Sequence, residues 1–344
     1  MADKNIDYRS SGVDVKAGEN AVKSIKELAK GTYNKDVLSD LGSFGGLYRF
    51  RRQDLEDPVL VASTDGVGTK LRLAVMSQRY ETVGQDLVNH CVNDILVQGA
   101  LPLFFLDYIG MGHLDPDHVK KIISGMAKAC RENSCALIGG EMAEMPGIYR
   151  GEDFDLVGTV VGVVDKKDLL PADRIREGDI LAALPSSGLH TNGYSLSRKI
   201  VFDHLGLEVE SYIPELGATV ADLLLAIHKS YLGPLKPHLE DPRLHGLAHI
   251  TGGGIPGNLK RIIPDRLTAH VDYPEKNIPP LFRWLQDSAF LTRETMLESF
   301  NLGIGMIAVL DPSFTPDFID ATSSFVIGEI KGTSSVGDKV VFVN

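Results

Sequence analysis

Cysteine is scarce in this chain of 344 residues. Cys91, Cys130 and Cys135 are an odd set without the paired spacing of a zinc site. They read as free thiols in a reducing cytoplasm rather than as a disulfide framework. Long apolar runs are missing too. None approaches the roughly 20 residues that a membrane-crossing helix needs, and the polar opening MADKNIDYRS has no apolar core of a secretory signal. There is no basic excess either. A net charge of −11 argues against nucleic acid as a partner, because phosphate backbones attract a basic face. Small phosphate substrates stay open, since backbone amides, one or two cations and a bound metal can hold them locally. Short internal repeats and low-complexity tracts are absent.

What is present is the balance of a soluble globular protein, 43% hydrophobic and 24% charged. The length suits about two domains. Helical and strand-like patterns alternate, which predicts an α/β architecture with α+β character. Helices are expected over about Glu19 to Lys30 and Tyr80 to Gln98, the second stopped by Gly99 and Pro102, and another begins at Asp115-Pro116. Strands are expected before Asp65, at LFFLDYI, into Gly139-Gly140, near Leu156–Val164 and in the tail KVVFV. The charged segment Asp165–Asp179 contains Pro171, has no clear period and reads as a linker. It divides the chain into 1–170 and 171–344.

The most informative run is DGVGTKLRL, Asp65 to Leu73, after the apolar segment Pro58–Thr64. It presents an acid where a buried strand ends, with Gly66 and Gly68 for a tight turn of exposed amides, the Thr69 hydroxyl and the Lys70 cation. An acid for a divalent metal beside amide donors suits a nucleotide triphosphate, although the spacing is neither a P-loop nor a dinucleotide fingerprint. On the helix Tyr80–Gln98, Asp86, His90, Asn93 and Asp94 share the side away from the apolar residues. Periodicity alone reads that side as solvated; the functional reading joins Asp94 to Asp65 on Mg²⁺. In IGGEMAEMPG, Glu141 follows a glycine pair at an expected strand end and repeats the Asp65 pattern. Asp65, Asp94 and Glu141 together suit an oxygen-ligand Mg²⁺ shared with phosphates.

Two later runs have a phosphate-friendly grammar. SSGLHTNGYSL offers Ser187, Gly188, Thr191, Asn192 and Gly193 ahead of a helix, with His190 as its imidazole. HITGGGIPGNL offers His249, Thr251, Gly252 and Gly253, and its glycines suggest close backbone approach to a ligand. Lys23, Lys26 and Lys30 line the first helix; solvation is their default role, with Lys26 a candidate to reach a nucleotide. FNLGIGM reads as a buried strand.

These runs, with VNDILVQGALPLFFLDY, GGEMAEMPG and ITGGG, occur in an order that resembles the phosphoribosylformylglycinamidine cyclo-ligase (AIR synthetase) family of purine synthesis. The resemblance covers nearly the whole chain from GVDVKAGENAV at Gly12. The opening motif and Asn93-Asp94 also resemble the wider superfamily of thiamine-phosphate kinase, selenophosphate synthetase and a hydrogenase-maturation enzyme. The absence of any Cys before Cys91 disfavours the selenophosphate enzyme, HTNGYSL and GGEMAEMPG disfavour the kinase, and the intact acids disfavour a silent nucleotide-binding subunit. Met142 departs from the hydroxyl residue expected there. The resemblance implies a two-domain homodimer in which N-terminal strands of both subunits close a β-barrel. It implies ATP and Mg²⁺ served by Asp65, Asp94 and Glu141, with Lys70 and Lys26 nearby. The ribotide substrate would face His190–Gly193 and Thr251–Gly254. His190 or His249 is the implied proton carrier, with no choice between them from sequence.

Overall fold

A computed structural model describes residues 15–332 and 338–343; the start of the GVDVKAGENAV run, from Gly12, lies outside them. The first sheet has four strands: β1 (Pro58–Gly66), β2 (Leu101–Met111), β3 (Ala136–Glu144) and β4 (Phe154–Asp165), in the order β1-β4-β2-β3. Only β2 and β3 run parallel. The helices α1 (Val15–Lys30), α2 (Leu71–Ser77), α3 (Glu81–Leu96) and α4 (Pro116–Glu132) accompany it. The Asp115-Pro116 start holds, because the Asp115 carboxylate caps α4 by accepting from the amides of Asp117 and His118.

The second sheet has six strands. They are β5 (Ile180–Pro185), β8 (Leu244–His249), β9 (Leu267–Val271), β10 (Ile304–Leu310), β11 (Phe325–Gly332) and β12 (Val340–Phe342), ordered β12-β9-β11-β5-β10-β8. A short ribbon of β6 (Tyr212–Ile213) and β7 (Ala218–Thr219) stands apart. The architecture is mixed α/β, as the alternating patterns predict. Between the sheets, Asp165 to Asp179 forms two single helical turns and anchors itself through buried Leu170 and Ile175.

Period-two patterning explains how the layers meet. On β5 and β10, Ala182, Leu184, Met306, Ala308 and Leu310 pack into one core with α3, while Leu181, Ala183, Ile307 and Val309 enter a second core. Helix α3 is therefore enclosed by the first sheet, α4 and the C-terminal half. Its side bearing Asp86, His90 and Asn93 is buried, not solvated. That corrects the reading from periodicity: a polar stripe marks a solvated face only when no second layer covers it.

Candidate active site

Strand β1 delivers Asp65 at its penultimate position, and α3 delivers His90 and Asp94 one turn apart. The His90 Nε2 lies 2.8 Å from one Asp65 carboxylate oxygen and 3.9 Å from one of Asp94. Strand β8 ends at His249, whose Nδ1 lies 2.8 Å from the Asp94 Oδ1. The other Asp94 oxygen accepts from the Ser63 hydroxyl at 3.1 Å, and Asp65 Oδ1 accepts from the Gly66 amide at 2.7 Å. Residues more than 150 positions apart thus meet where the two halves of the chain face each other.

Burial works to raise the Asp65 carboxyl, but His90 outweighs it and holds the acid below the usual carboxylate range. Asp94 is likewise held low against its burial, by His249 and His90. Both acids are anionic at neutral pH. Burial alone would lower His90; Asp65 and Asp94 overcome it and raise the imidazole. For His249 burial prevails and the pKa falls.

Behind this pair stands His228, which the sequence reading did not single out. Its Nε2 is 3.1 Å from the His249 Nε2, and its Nδ1 is 3.3 Å from the Thr191 hydroxyl, which lies 2.7 Å from the His90 Nδ1. A continuous chain of polar contacts therefore runs Asp65, His90, Thr191, His228, His249, Asp94. No motif announces His228; its neighbours come from three distant segments.

Several expected ligand residues have other work. Lys70 is fully buried, with Nζ 2.7 Å from Asp86, 2.7 Å from the Ala226 carbonyl and 3.1 Å from the His190 carbonyl. Its three protons are engaged, so it clamps the two halves together instead of reaching a phosphate. Asn93 donates to the Lys229 carbonyl (2.9 Å) and accepts from the Tyr231 amide (2.9 Å), which ties down the segment around His228 and leaves no amide for a nucleotide. His190 is buried and neutral, stacks on His228 at 4.0 Å, and accepts at Nε2 from the Ser187 amide at 3.2 Å. It supports the cluster and does not touch the carboxylates.

Glu141 is also displaced from the expected set. Strand β3 continues past the glycine pair to Glu144, so Glu141 lies within the strand. Gly66, Val157, Tyr108 and Glu141 form one row across the sheet. Three strand spacings, roughly 14 Å, separate its ends. Alternation turns that row to the face opposite Asp65. One chain does not bring Glu141 to Asp65 and Asp94.

Glu141 instead borders a cavity of about 620 Å³ between α1, the Gly42–Gly46 loop and β3. Asp107 enters this cavity from β2, on the same sheet face as Asp65. Burial pushes its carboxyl up to about 7. Lys26 stands at the edge of this region, 3.7 Å from Asp40 just ahead of the glycine loop. On the other side of the cluster, Asn192 approaches Gly252, where a Cβ would sit 3.2 Å from the Asn192 Oδ1. The SSGLHTNG and TGGG loops are therefore neighbours. Thr69 reaches toward them, 3.1 Å from the Ser195 hydroxyl, and Gly68 adopts φ +70 in open space. Gly253 begins the helix Gly254–Leu259 with φ +86, and the Thr251 hydroxyl donates to Asn258 at 3.1 Å. Gly254 has a packing reason, since a Cβ there would overlap the Leu297 carbonyl.

Residues 47–164 match the N-terminal domain model of AIR synthase related proteins, and residues 176–340 match the C-terminal one. A relative from Trichlorobacter lovleyi named phosphoribosylformylglycinamidine cyclo-ligase is 43% identical, over 97% of this chain and 97% of its own. One of the same name from Geobacter sulfurreducens is 44% identical over 96% of each. The chain belongs to the phosphoribosylformylglycinamidine cyclo-ligase family. Members of this family are enzymes, and the acids and imidazoles of the cleft belong to an enzyme's interior. The fold extends further. A thiamine-monophosphate kinase from Stenotrophomonas maltophilia superposes with a TM-score of 0.66 at 17% identity, over 94% of this chain and 96% of its own. The hydrogenase maturation protein HypE, solved in complex with ATP, superposes with a TM-score of 0.64 at 19% identity, covering 97% and 93%.

Proposed function

We propose that this chain closes the imidazole ring of aminoimidazole ribonucleotide from formylglycinamidine ribonucleotide, using ATP and releasing ADP and phosphate. The observation that carries this reading is the meeting of Asp65 and Asp94 with His249 and the two glycine-rich loops, in a chain of this family. ATP and the ribotide are substrates. Residues 1–170 form the nucleotide-binding and dimerisation unit, and 171–344 supply the ribotide side. The protein works in the cytoplasm as a homodimer; among the described residues no helix is long and apolar enough to cross a membrane.

The chemistry begins with a poor electrophile. A formamide carbon resists attack by the amidine nitrogen, and its oxygen leaves badly. Transfer of the γ-phosphoryl to that oxygen gives an iminophosphate; nitrogen attacks the carbon and phosphate departs. The chain must hold donor and acceptor in line and balance phosphate charge. Asp65 and Asp94, anionic and bridged by one imidazole, fit a Mg²⁺ that also binds phosphates, since such ions take one or two carboxylates. Bound there, Mg²⁺ would neutralise charge on the transferring phosphoryl group. Backbone amides at Gly68, Gly252 and Gly253, with the Thr69 hydroxyl, line the approaches from the two domains. The Gly66 amide holds Asp65 and the Thr251 hydroxyl holds Asn258. Ser187, Gly188, Asn192 and Gly193 shape the ribotide side. His249 is the better placed of the two candidate proton carriers, because its ring touches Asp94 while His190 is sealed behind it.

Asp94→Asn should lower ribotide-dependent ADP formation by about 100-fold or more with an unchanged circular dichroism spectrum. ADP release at the same rate without formylglycinamidine ribonucleotide would remove the reading.

A further inference from the structure

Two short helical segments meet where the halves of the chain face each other, and each turns one hydroxyl and one guanidinium outward. The turn Gly68–Lys70 runs directly into α2, with Lys70 and Leu71 both in right-handed helical conformation. Lys70, Leu71 and Leu73 are buried, so Thr69 and Arg72, three apart, share the exposed side. Opposite them, Gly193 at φ +79 starts the helix Tyr194–Arg198. Tyr194 and Ser197 are buried, the Tyr194 hydroxyl donating to the Leu224 carbonyl at 2.6 Å. Ser195 and Arg198, again three apart, are left on the other side. The Thr69 and Ser195 hydroxyls touch at 3.1 Å. Arg72 and Arg198 lie one turn further along each segment, near enough for the charge of one to act on the other.

The two cations are unequally satisfied. Asp153 holds Arg72 through Nη1. Arg198 has a buried Nε–H without a hydrogen-bond partner among the described residues. Burial and then the neighbouring Arg72 lower its pKa, against the attraction of Asp203, yet a guanidinium keeps its proton. A chain of net charge −11 thus sets two like charges side by side and leaves a desolvated donor unused. That arrangement is unfavourable until an anion joins it.

We propose that Arg198 and Arg72, with the Thr69 and Ser195 hydroxyls, grip the 5′-phosphate of the ribotide. Two guanidinium forks and two hydroxyls offer more donors than a carboxylate can use. A phosphate monoester brings nearly two charges and three acceptor oxygens to match them. Position separates this anion from the phosphates of ATP, which on the proposed reading lie with Asp65 and Asp94. Thr69 is four residues past Asp65 and so at most about 14 Å from it, a distance that one ribotide spans. Asn192 and Gly193, which shape the ribotide side, lead straight into Ser195. The grip is built from both halves of the chain and exists only where they meet.

This inference rests on the proposed ring closure, and its experiment separates the two. Arg198→Gln and Ser195→Ala are made in the full-length protein. KM is measured for formylglycinamidine ribonucleotide and for ATP, beside phosphorus NMR titrations with ribose 5-phosphate, which has no ring to close. In Arg198→Gln the ribotide KM should rise about 10- to 100-fold, the loss of a hydrogen bond to a charged group, with the KM for ATP unchanged. Ribose 5-phosphate should lose affinity by a similar factor. Ser195→Ala, at an exposed site, should move both quantities the same way by about 2- to 10-fold, and decides the matter if the arginine variant fails to fold. A rise in the KM for ATP instead, or no change in ribotide KM and ribose 5-phosphate affinity, overturns the proposal. Ribose 5-phosphate binding that Arg198→Gln weakens, in a protein without ribotide-dependent ADP release, would keep the phosphate grip and remove the ring-closing reading. Ribotide-dependent ADP release that neither variant alters would do the reverse.

Discussion

Asp107 shows how one residue is set by its strand. In LFFLDYI the period of two puts it on the same face as Phe105, which is the covered face of the sheet. Gly140 opposite leaves the room, since a Cβ there would come within 2.4 Å of the Asp107 Oδ1. Burial without a cationic partner raises the carboxyl from an ordinary 3.8 to about 7. The native state then holds a proton that the unfolded chain releases near pH 4. Stability is full below about 3.8, falls as pH rises toward 7, and is flat above. The loss is on the order of 4 kcal/mol when the whole shift is expressed. Asp107→Asn should remove that slope, so its melting temperature should exceed the wild type's at pH 8 more than at pH 5. Equal differences at both pH values would show that Asp107 is ionised throughout. Such a residue was legible in principle, as an acid inside an apolar strand. Lys70 was not: a cation in a glycine-rich turn looks ligand-directed until Asp86 and two carbonyls are seen around it. His228 carried no local signal, because its partners lie far away in sequence.

At the scale of elements, the decisive packing is α3 against α4. A Cβ on Gly84 would sit 2.1 Å from the Ile122 carbonyl, and one on Gly125 would sit 2.0 Å from the Glu81 carbonyl. Each helix therefore offers a glycine to the other's backbone, and this close approach fixes the depth at which α3 presents His90 and Asp94. Gly84→Ala and Gly125→Ala should each destabilise the protein by about 1–3 kcal/mol, despite alanine's better helix propensity. Urea unfolding would check it; unchanged midpoints would mean that the helices move apart without cost. Helices and most strands were readable from period and turn chemistry. The polar stripe of α3 was not readable as buried, because periodicity reports amphipathicity and says nothing of a second layer. Strand β3 outran its expected end for a related reason: glycines end an isolated strand, yet pairing with β2 carries this one to Glu144.

On the scale of the molecule, the four-stranded sheet has one face covered by helices. Among the described residues, its outer face is largely open apart from Tyr48 against Phe104. The helices take the inner side, and the outer side carries Leu60 at 61% exposure with Phe104, Leu106, Tyr108, Val157 and Val161 half-buried beside it. A contiguous apolar patch of this kind marks an interaction surface. Under the proposed homodimer the second copy covers it, and the side chain of Glu141 projects from the same face. Burying a leucine stabilises by about 1.5–3 kcal/mol, and a two-fold interface contains it twice. Leu60→Glu should therefore cost at least about 3–6 kcal/mol of association, a 10²- to 10⁴-fold weaker dimer, before counting the buried charge. Light scattering at micromolar concentration should find the wild type at twice the chain mass and the variant at one. The substitution touches no core residue, so its unfolding as an isolated chain should change little. A wild type that scatters as a single chain would leave the patch to another partner. A variant that remains dimeric would place the two-fold contact on a different surface and separate the barrel from subunit association.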